Sequence, residues 1–252
     1  MKVDVLTLFP EMFFAVTESS MLGRAAEKGL LDIKITNIRD FSEDKHKKTD
    51  DTPFGGGAGM VLSADPVFKA LEAVSAQGKR RIYMSPRGKI LDYRMVTELS
   101  LEKELVILCG HYEGIDERII EYWGMEEVSI GDYILTGGEL AAMVLIDAAA
   151  RMIPGVLKSD ESAAVESIYS GLLEYPQYTK PREYRGMEVP AVLVNGNHEF
   201  IRLWQFERSL ILTKERRPDL FVQFVNTSEG LPKKEKKILE KIIEKDIIYE
   251  DA

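Results

Sequence analysis

Two glycine-rich runs carry the side chains best placed for chemistry. Gly110-His111-Tyr112-Glu113-Gly114-Ile115-Asp116-Glu117-Arg118 follows an apolar stretch at 105–109, and Ser129-Ile130-Gly131-Asp132-Tyr133-Ile134-Leu135-Thr136-Gly137-Gly138-Glu139 comes shortly after it. Glycine admits positive φ and lets a backbone approach a bound molecule closely, so Tyr112, Glu113, Asp132 and Tyr133 could present polar or stacking groups to a ligand in one shared pocket. Neither run is a phosphate cradle, because no lysine and hydroxyl follow the glycines, and the G-x-G-x-x-G spacing of a dinucleotide fold is missing. On the residues alone, a pair of tight turns is the alternative reading.

Three further constellations invite weighing. The segment Asp50-Asp51-Thr52-Pro53-Phe54-Gly55-Gly56-Gly57-Ala58-Gly59-Met60 offers successive amides for an anion, and its paired aspartates could hold a divalent cation. It lacks the lysine of a phosphate loop, and a surface loop that orders on ligand binding is the better reading. Tyr83-Met84-Ser85-Pro86-Arg87-Gly88-Lys89 ends a strand on the carboxyl edge where open α/β sheets bind ligands, so a third loop can join the two glycine runs. His198-Glu199-Phe200-Ile201-Arg202 has Arg202 where a zinc-protease helix needs its second histidine. With only three histidines, widely spaced, and one cysteine, no metal centre is expected, and His198 reads as a helix start or an RNA contact.

Alternating elements must hold these loops. Residues 3–9 read as a buried strand, 11–28 as one helix capped by Gly29, and the alternating 32–36 as a second strand. Asp65-Pro66 looks like an N-cap with proline at N1 for a helix to about residue 77; strands follow at 81–84 and 105–108, with a helix at 92–99 between them. A strand at 127–130 feeds the second glycine run, and an alanine-rich helix fills 139–153 before Pro154. This order predicts an α/β fold with a mostly parallel sheet covered on both faces. The composition turns small and polar at 158–167, which marks a linker, so the expected division is a domain at 1–158, a linker at 159–168 and a small helical domain at 169–252. In the last part, 201–217 reads as a helix ended by Pro218, and Ile238, Leu239, Ile242 and Ile243 form a helical stripe beneath solvated lysines.

Composition bounds the rest. A chain of 252 residues with 45% apolar content can build a sizeable core. No signal-peptide pattern and no apolar run of membrane-spanning length is present, so a cytoplasmic protein without a membrane partner is expected. Cys109 ends an apolar strand and reads as a small buried hydrophobe. A net charge of −9 disfavours simple coating of nucleic acid, yet residues 79–89 hold five basic side chains and no acidic ones, and residues 180–217 hold eight basic against five acidic. Basic stripes on an acidic protein remain compatible with a polyanion.

Taken in order, these segments resemble the bacterial tRNA (guanine-N1)-methyltransferases, the knotted members of the SPOUT methyltransferases. The likeness covers nearly the whole chain and rests on Leu6-Thr7-Leu8-Phe9-Pro10, the 50–57 and 83–88 segments, both glycine runs, Arg151-Met152-Ile153-Pro154-Gly155-Val156-Leu157, Tyr175-Pro176-Gln177-Tyr178-Thr179-Lys180-Pro181 and Gly196-Asn197-His198. It implies a deep trefoil knot around the glycine runs, which ordinary fold rules would exclude. It further implies S-adenosylmethionine held bent by Tyr83, Met84, Ser85, Pro86, Gly110, Tyr112, Glu113, Ser129, Ile130, Gly131, Asp132, Tyr133, Ile134, Leu135, Gly137 and Gly138, and a homodimer whose active sites use both chains. The implied substrate is the guanosine at position 37 of tRNA, just 3′ of the anticodon. A magnesium requirement cannot be read from the residues.

The chemistry gives a separate check. N1 of guanine carries a proton that must leave before the nitrogen attacks a sulfonium methyl, and negative charge then develops toward O6, so a carboxylate and a cation are needed. The resemblance assigns the charge-stabilising role to Arg151 and the base to Glu166, followed by Ser167. The family usually carries aspartate where Glu166 stands; the added methylene changes its reach. Glu174 is likewise a glutamate for an aspartate, and Ala141 stands for a usual proline. Lys180, Arg182, His198, Arg202 and Arg208 are the candidate RNA contacts. The polar linker is expected to order on tRNA binding and so couple recognition to catalysis. The rivals are a related enzyme acting on another RNA position and a non-catalytic, nucleotide-dependent RNA-binding protein.

Overall fold

The structure is a computed structural model that describes residues 1–157 and 170–250. The expected linker at 159–168, with Glu166 and Ser167, lies outside the described residues. The chain divides into two compact units, Met1–Asp160 and Glu161–Ala252.

The first unit is built on β1 (Lys2–Thr7), β2 (Asp32–Asn37), β5 (Arg80–Ile90), β6 (Glu104–Cys109) and β7 (Glu126–Ser129), which form one sheet in the order β2-β1-β6-β5-β7. Every pairing in it is parallel. Two short strands, β3 (Asp50–Asp51) and β4 (Val61–Leu62), form a separate antiparallel pair. Burial alternates along the strands: Leu105, Ile107 and Cys109 of β6 enter one core with Val3 and Val5, while Val106 and Leu108 enter a second core with Leu6. Both faces are therefore covered, as a parallel sheet requires. On the first face lie α1 (Glu11–Thr17), α2 (Ser20–Glu27), α4 (Tyr93–Ser100) and α6 (Glu139–Arg151); on the second lie α3 (Ala64–Ala73) and α5 (Glu117–Trp123).

Several boundaries differ from the sequence expectation for local reasons. The single helix expected at 11–28 is two, because Ser19 is extended and Ser20 has φ of 53°; serines favour caps over helix interiors. Gly29 does close α2, its amide donating to the Ala26 carbonyl and the next amide, from Leu30, to the Ala25 carbonyl. The N-cap of α3 is Ser63 rather than Asp65, with Pro66 still inside the first turn, where no amide donor is needed. Asp92, expected as the first helical residue, is instead the N-cap of α4, accepting from the Met95 amide at 2.8 Å. The turn expected after Met84 is instead a bulge within β5, since Met84 and Lys89 both pair with Val128.

Among its described residues the second unit holds a hairpin of β8 (Glu183–Tyr184) and β9 (Met187–Glu188) and three α-helices, α7 (His198–Arg216), α8 (Pro218–Thr227) and α9 (Lys233–Glu250). Asn197 caps α7 through bonds from the Glu199 and Phe200 amides, so the helix starts three residues before the apolar pattern suggests. Pro218 both stops α7 and opens α8 at N1, where its missing donor costs nothing. Leu172, Leu210, Phe221, Leu239 and Ile242 form this unit's core, with Ile238 and Ile243 packed against it.

Candidate active site

The ends of three neighbouring strands bring the candidate residues together. Met84 of β5 pairs with Cys109 of β6 on one side and Val128 of β7 on the other, so the β5 bulge and the segments leaving β6 and β7 lie side by side. Between them lies a cavity of about 440 Å³, within the roughly 300–1,000 Å³ range of small-molecule sites. Its described lining includes Tyr83, Met84, Ser85, Pro86, Gly110, Tyr112, Glu113, Ser129, Ile130, Gly131, Tyr133, Ile134, Leu135, Gly137 and Gly138. Of the cofactor candidates, Asp132 alone is missing from that lining. Arg151 sits in the last turn of α6, and it too is not among the lining residues.

Backbone approach sets the shape of the cavity. The amide of Gly138 donates to the Gly110 carbonyl at 2.8 Å, and His111 forms an antiparallel bridge with Gly137. A Cβ at Gly138 would stand 3.0 Å from the Cys109 Cα and 3.1 Å from the Gly110 nitrogen, so any side chain there would press the two runs apart by a few tenths of an ångström. Tyr112 is held at φ of 61°, an uncommon conformation for a tyrosine. Its loop is fastened by bonds from the Glu113 amide to the Met60 carbonyl and from the Leu62 amide to the Gly114 carbonyl, each 3.0 Å. The site is thus shaped by tertiary hydrogen bonds that hold a strained turn open.

The electrostatics differ from wall to wall. Tyr83 is pushed up to about 12, first by burial and then by the Glu127 carboxylate, so its phenol stays protonated at neutral pH. Arg87, on the β5 bulge, pairs with Glu117 and Glu127 at 3.1 Å each and is raised above its ordinary value by those two hydrogen-bonded carboxylates. Burial, with the Glu139 charge second, pushes the Cys109 thiol well up, which agrees with a packing role for that cysteine. Sequence reasoning missed three members of this neighbourhood: the Arg87 clasp, the whole of α5, and the buried Glu139 carboxylate near the His111 ring. A glutamate following two glycines at a helix start was the available signal for the last.

Other candidates fall elsewhere. The 52–60 segment is the loop of the β3–β4 hairpin, with Phe54 fully exposed at its tip. In the second unit Lys180, Arg182, His198, Arg202 and Arg208 are exposed. Arg202 pairs with Glu235, and Arg208 lies 5.9 Å from the centre of the Trp204 ring. Among the described residues no group of three or more His, Cys, Asp or Glu side chains is arranged to hold a metal, and no helix is long and apolar enough to cross a membrane.

Comparison with known proteins adds a family to this geometry. The profile of tRNA (Guanine-1)-methyltransferase TrmD matches residues 1–223. A tRNA (guanine-N(1)-)-methyltransferase of Ruminiclostridium cellulolyticum is 56% identical over 229 residues, covering 90% of this chain and 98% of the relative. One from Carboxydothermus hydrogenoformans is 52% identical over 239 residues, covering 95% and 92%, and one from Clostridium perfringens strain SM101 is 51% identical over 232 residues, covering 92% and 98%. With a glycine-lined cavity at the carboxyl edge of a parallel sheet, a matching profile over most of its length and relatives above half identity, the chain belongs to the tRNA (guanine-1)-methyltransferase TrmD family.

Proposed function

We propose that this enzyme moves a methyl group from S-adenosylmethionine to N1 of the guanosine at position 37 of tRNA. The observation that carries the reading is the glycine-lined cavity itself, where backbone groups and Tyr83 surround a space fit for a nucleoside-sized donor. The donor supplies a sulfonium-bound methyl group. The chain's residues do the rest: Glu166 takes the N1 proton, and Arg151 stabilises the charge that spreads to O6. Glu166 lies outside the described residues, so its role rests on the family correspondence and on the need for a carboxylate.

The finer architecture belongs to the same reading. A trefoil knot is supported by the course of the chain: β7 lies beyond β5, yet the segment after it returns to bond Gly110 at the end of β6. A homodimer with shared active sites is supported by Leu140 and Val144, about half exposed one turn apart on α6, and by Phe14, equally exposed on the adjoining α1. For the second unit, a tRNA-binding role is supported by its exposed cations at 180–217. A cytoplasmic location follows from a tRNA substrate.

Incubating the protein with unmodified tRNA and labelled S-adenosylmethionine, then identifying the nucleoside, tests substrate and reaction together. N1-methylguanosine at position 37 is expected. Methylation of a ribose or of another base would replace this function with that of a related enzyme.

A further inference from the structure

A buried carboxylate and a buried imidazole nitrogen border one small space at the edge of the cavity, which His111 also lines, and the proton transfer and charge stabilisation described above use neither. Glu139 opens α6 and is only 2% exposed. Its place at a helix N-terminus favours negative charge. Oε1 accepts from the Thr7 hydroxyl at 2.8 Å, and the Thr7 hydroxyl oxygen in turn accepts from the Phe9 amide at 2.9 Å, so the carboxylate holds the carboxyl end of β1. Its other oxygen faces the second glycine run. A Cβ on Gly137 would lie 2.3 Å from Glu139 Oε2 and 2.5 Å from His111 Nδ1, so the missing side chain at 137 leaves one small space that both polar atoms border.

His111 Nδ1 is buried and has no hydrogen-bond partner among the described residues. Its ring is wedged against Phe9, 4.9 Å between centres, and edge-on to Tyr112 at 5.1 Å. Buried polar atoms in folded proteins are rarely left unpaired, and an ionised carboxylate only accepts, so a protonated Nδ1 is its natural complement. We propose that His111 donates its Nδ1 proton to Glu139 Oε2, and that Glu139 is thereby a positioning residue fixing both glycine runs against the end of β1 in the shape the methyl donor needs. The link runs parallel to the backbone contacts between the same runs, the Gly138-to-Gly110 bond and the His111–Gly137 bridge. It also braces Tyr112, the next residue, in its positive-φ conformation. The positioning role rests on the reading of the cavity as the donor site; the hydrogen bond does not.

Nitrogen-15 NMR on the labelled full chain tests the bond directly, since the sequence has only three histidines and loss of a signal in His111→Asn assigns the resonance. The expected result is a proton on Nδ1 of His111, with that resonance displaced in Glu139→Gln. A bare Nδ1 in a neutral ring, or a resonance indifferent to Glu139→Gln, would overturn the proposal without any variant having to be active. The positioning role is read by calorimetric binding of S-adenosylhomocysteine. His111→Asn, whose amide nitrogen stands close to the place of Nδ1, should bind within about twofold of the parent, whereas His111→Gln and Thr7→Val should each bind about tenfold more weakly. KM for the donor should move more than kcat. Equal losses in the Asn and Gln variants would refute positioning through Nδ1. Failure of the parent chain to bind S-adenosylhomocysteine would overturn the donor-site reading, and the positioning role with it, while leaving the tautomer result standing, so the two failures are distinguishable.

Discussion

At the amino end of the sheet charged groups satisfy one another, whereas at the carboxyl end the backbone does most of the lining. Lys79 bonds Asp4 at 2.9 Å and the Val74 carbonyl at 2.7 Å, the Met1 ammonium bonds the Leu30 carbonyl at 2.8 Å, and Arg80 reaches Glu126 at 2.9 Å. At the opposite end glycines touch and a tyrosine is held in a strained turn. One end is closed by mutual pairing and stabilises the fold. The other gives up some of that pairing to keep a shaped space, as sites that must bind something else commonly do.

This contrast can be broken from either side. The largest effect is expected at the chemistry: Glu166→Gln should lower kcat by at least about 100-fold while S-adenosylhomocysteine still binds normally, because a lost base acts only on the reacting proton. Near-normal single-turnover methylation would move the base to another residue. Next comes Gly138→Ala, where the new methyl meets backbone atoms at 3.0 and 3.1 Å that cannot rotate away. Overpacking of about 1–3 kcal/mol should appear as donor affinity weakened roughly 5- to 150-fold in a calorimetric titration. Unchanged affinity would mean that the contact of the two runs is irrelevant to the site.

The amino end should respond in the other coordinate. Lys79→Met leaves Asp4, itself only 14% exposed, without its cation, which should cost about 1–3 kcal/mol in urea unfolding while kcat/KM stays within error. A fall in kcat/KM with unchanged stability would abolish the distinction between the two ends. The smallest effect is in pH. Tyr83 has its pKa raised to about 12 by burial and by Glu127, against about 10 for an unfolded tyrosine. Its contribution to stability is therefore complete below about pH 10 and is lost as pH rises toward 12, because the unfolded chain releases its proton first. Phenolate absorbance should show one tyrosine titrating late, and that component should vanish in Tyr83→Phe.

How much of this was readable depended on the range of the interaction. The alternation of Leu105 to Cys109 follows from local pattern, and so did the parallel α/β class, because a strand buried on both faces must be apolar throughout. The meeting of the 83–89 segment with the two glycine runs at one edge was legible too, since strands alternating with helices leave their carboxyl ends together, although the first of the three proved a bulge within β5 and not a loop. The break at Ser19 escaped because a helical pattern spans it, and Pro218 reads equally as a stop or a start until α8 is seen. The His111–Glu139 pair was invisible for a different reason: it forms only when Gly137 is brought back to the end of β6, a long-range event that no spacing encodes. The Arg151 and Glu166 assignments came from family resemblance, not from any pattern in the residues.

The central claim is that the glycine-lined carboxyl edge holds the methyl donor. A crystal structure of the protein with S-adenosylhomocysteine tests it most directly. The account predicts the ligand between the β5 bulge and the two glycine runs, in contact with Tyr83, Gly110 and Gly138. A ligand seated at the amino end of the sheet, or anywhere away from those three residues, would contradict it.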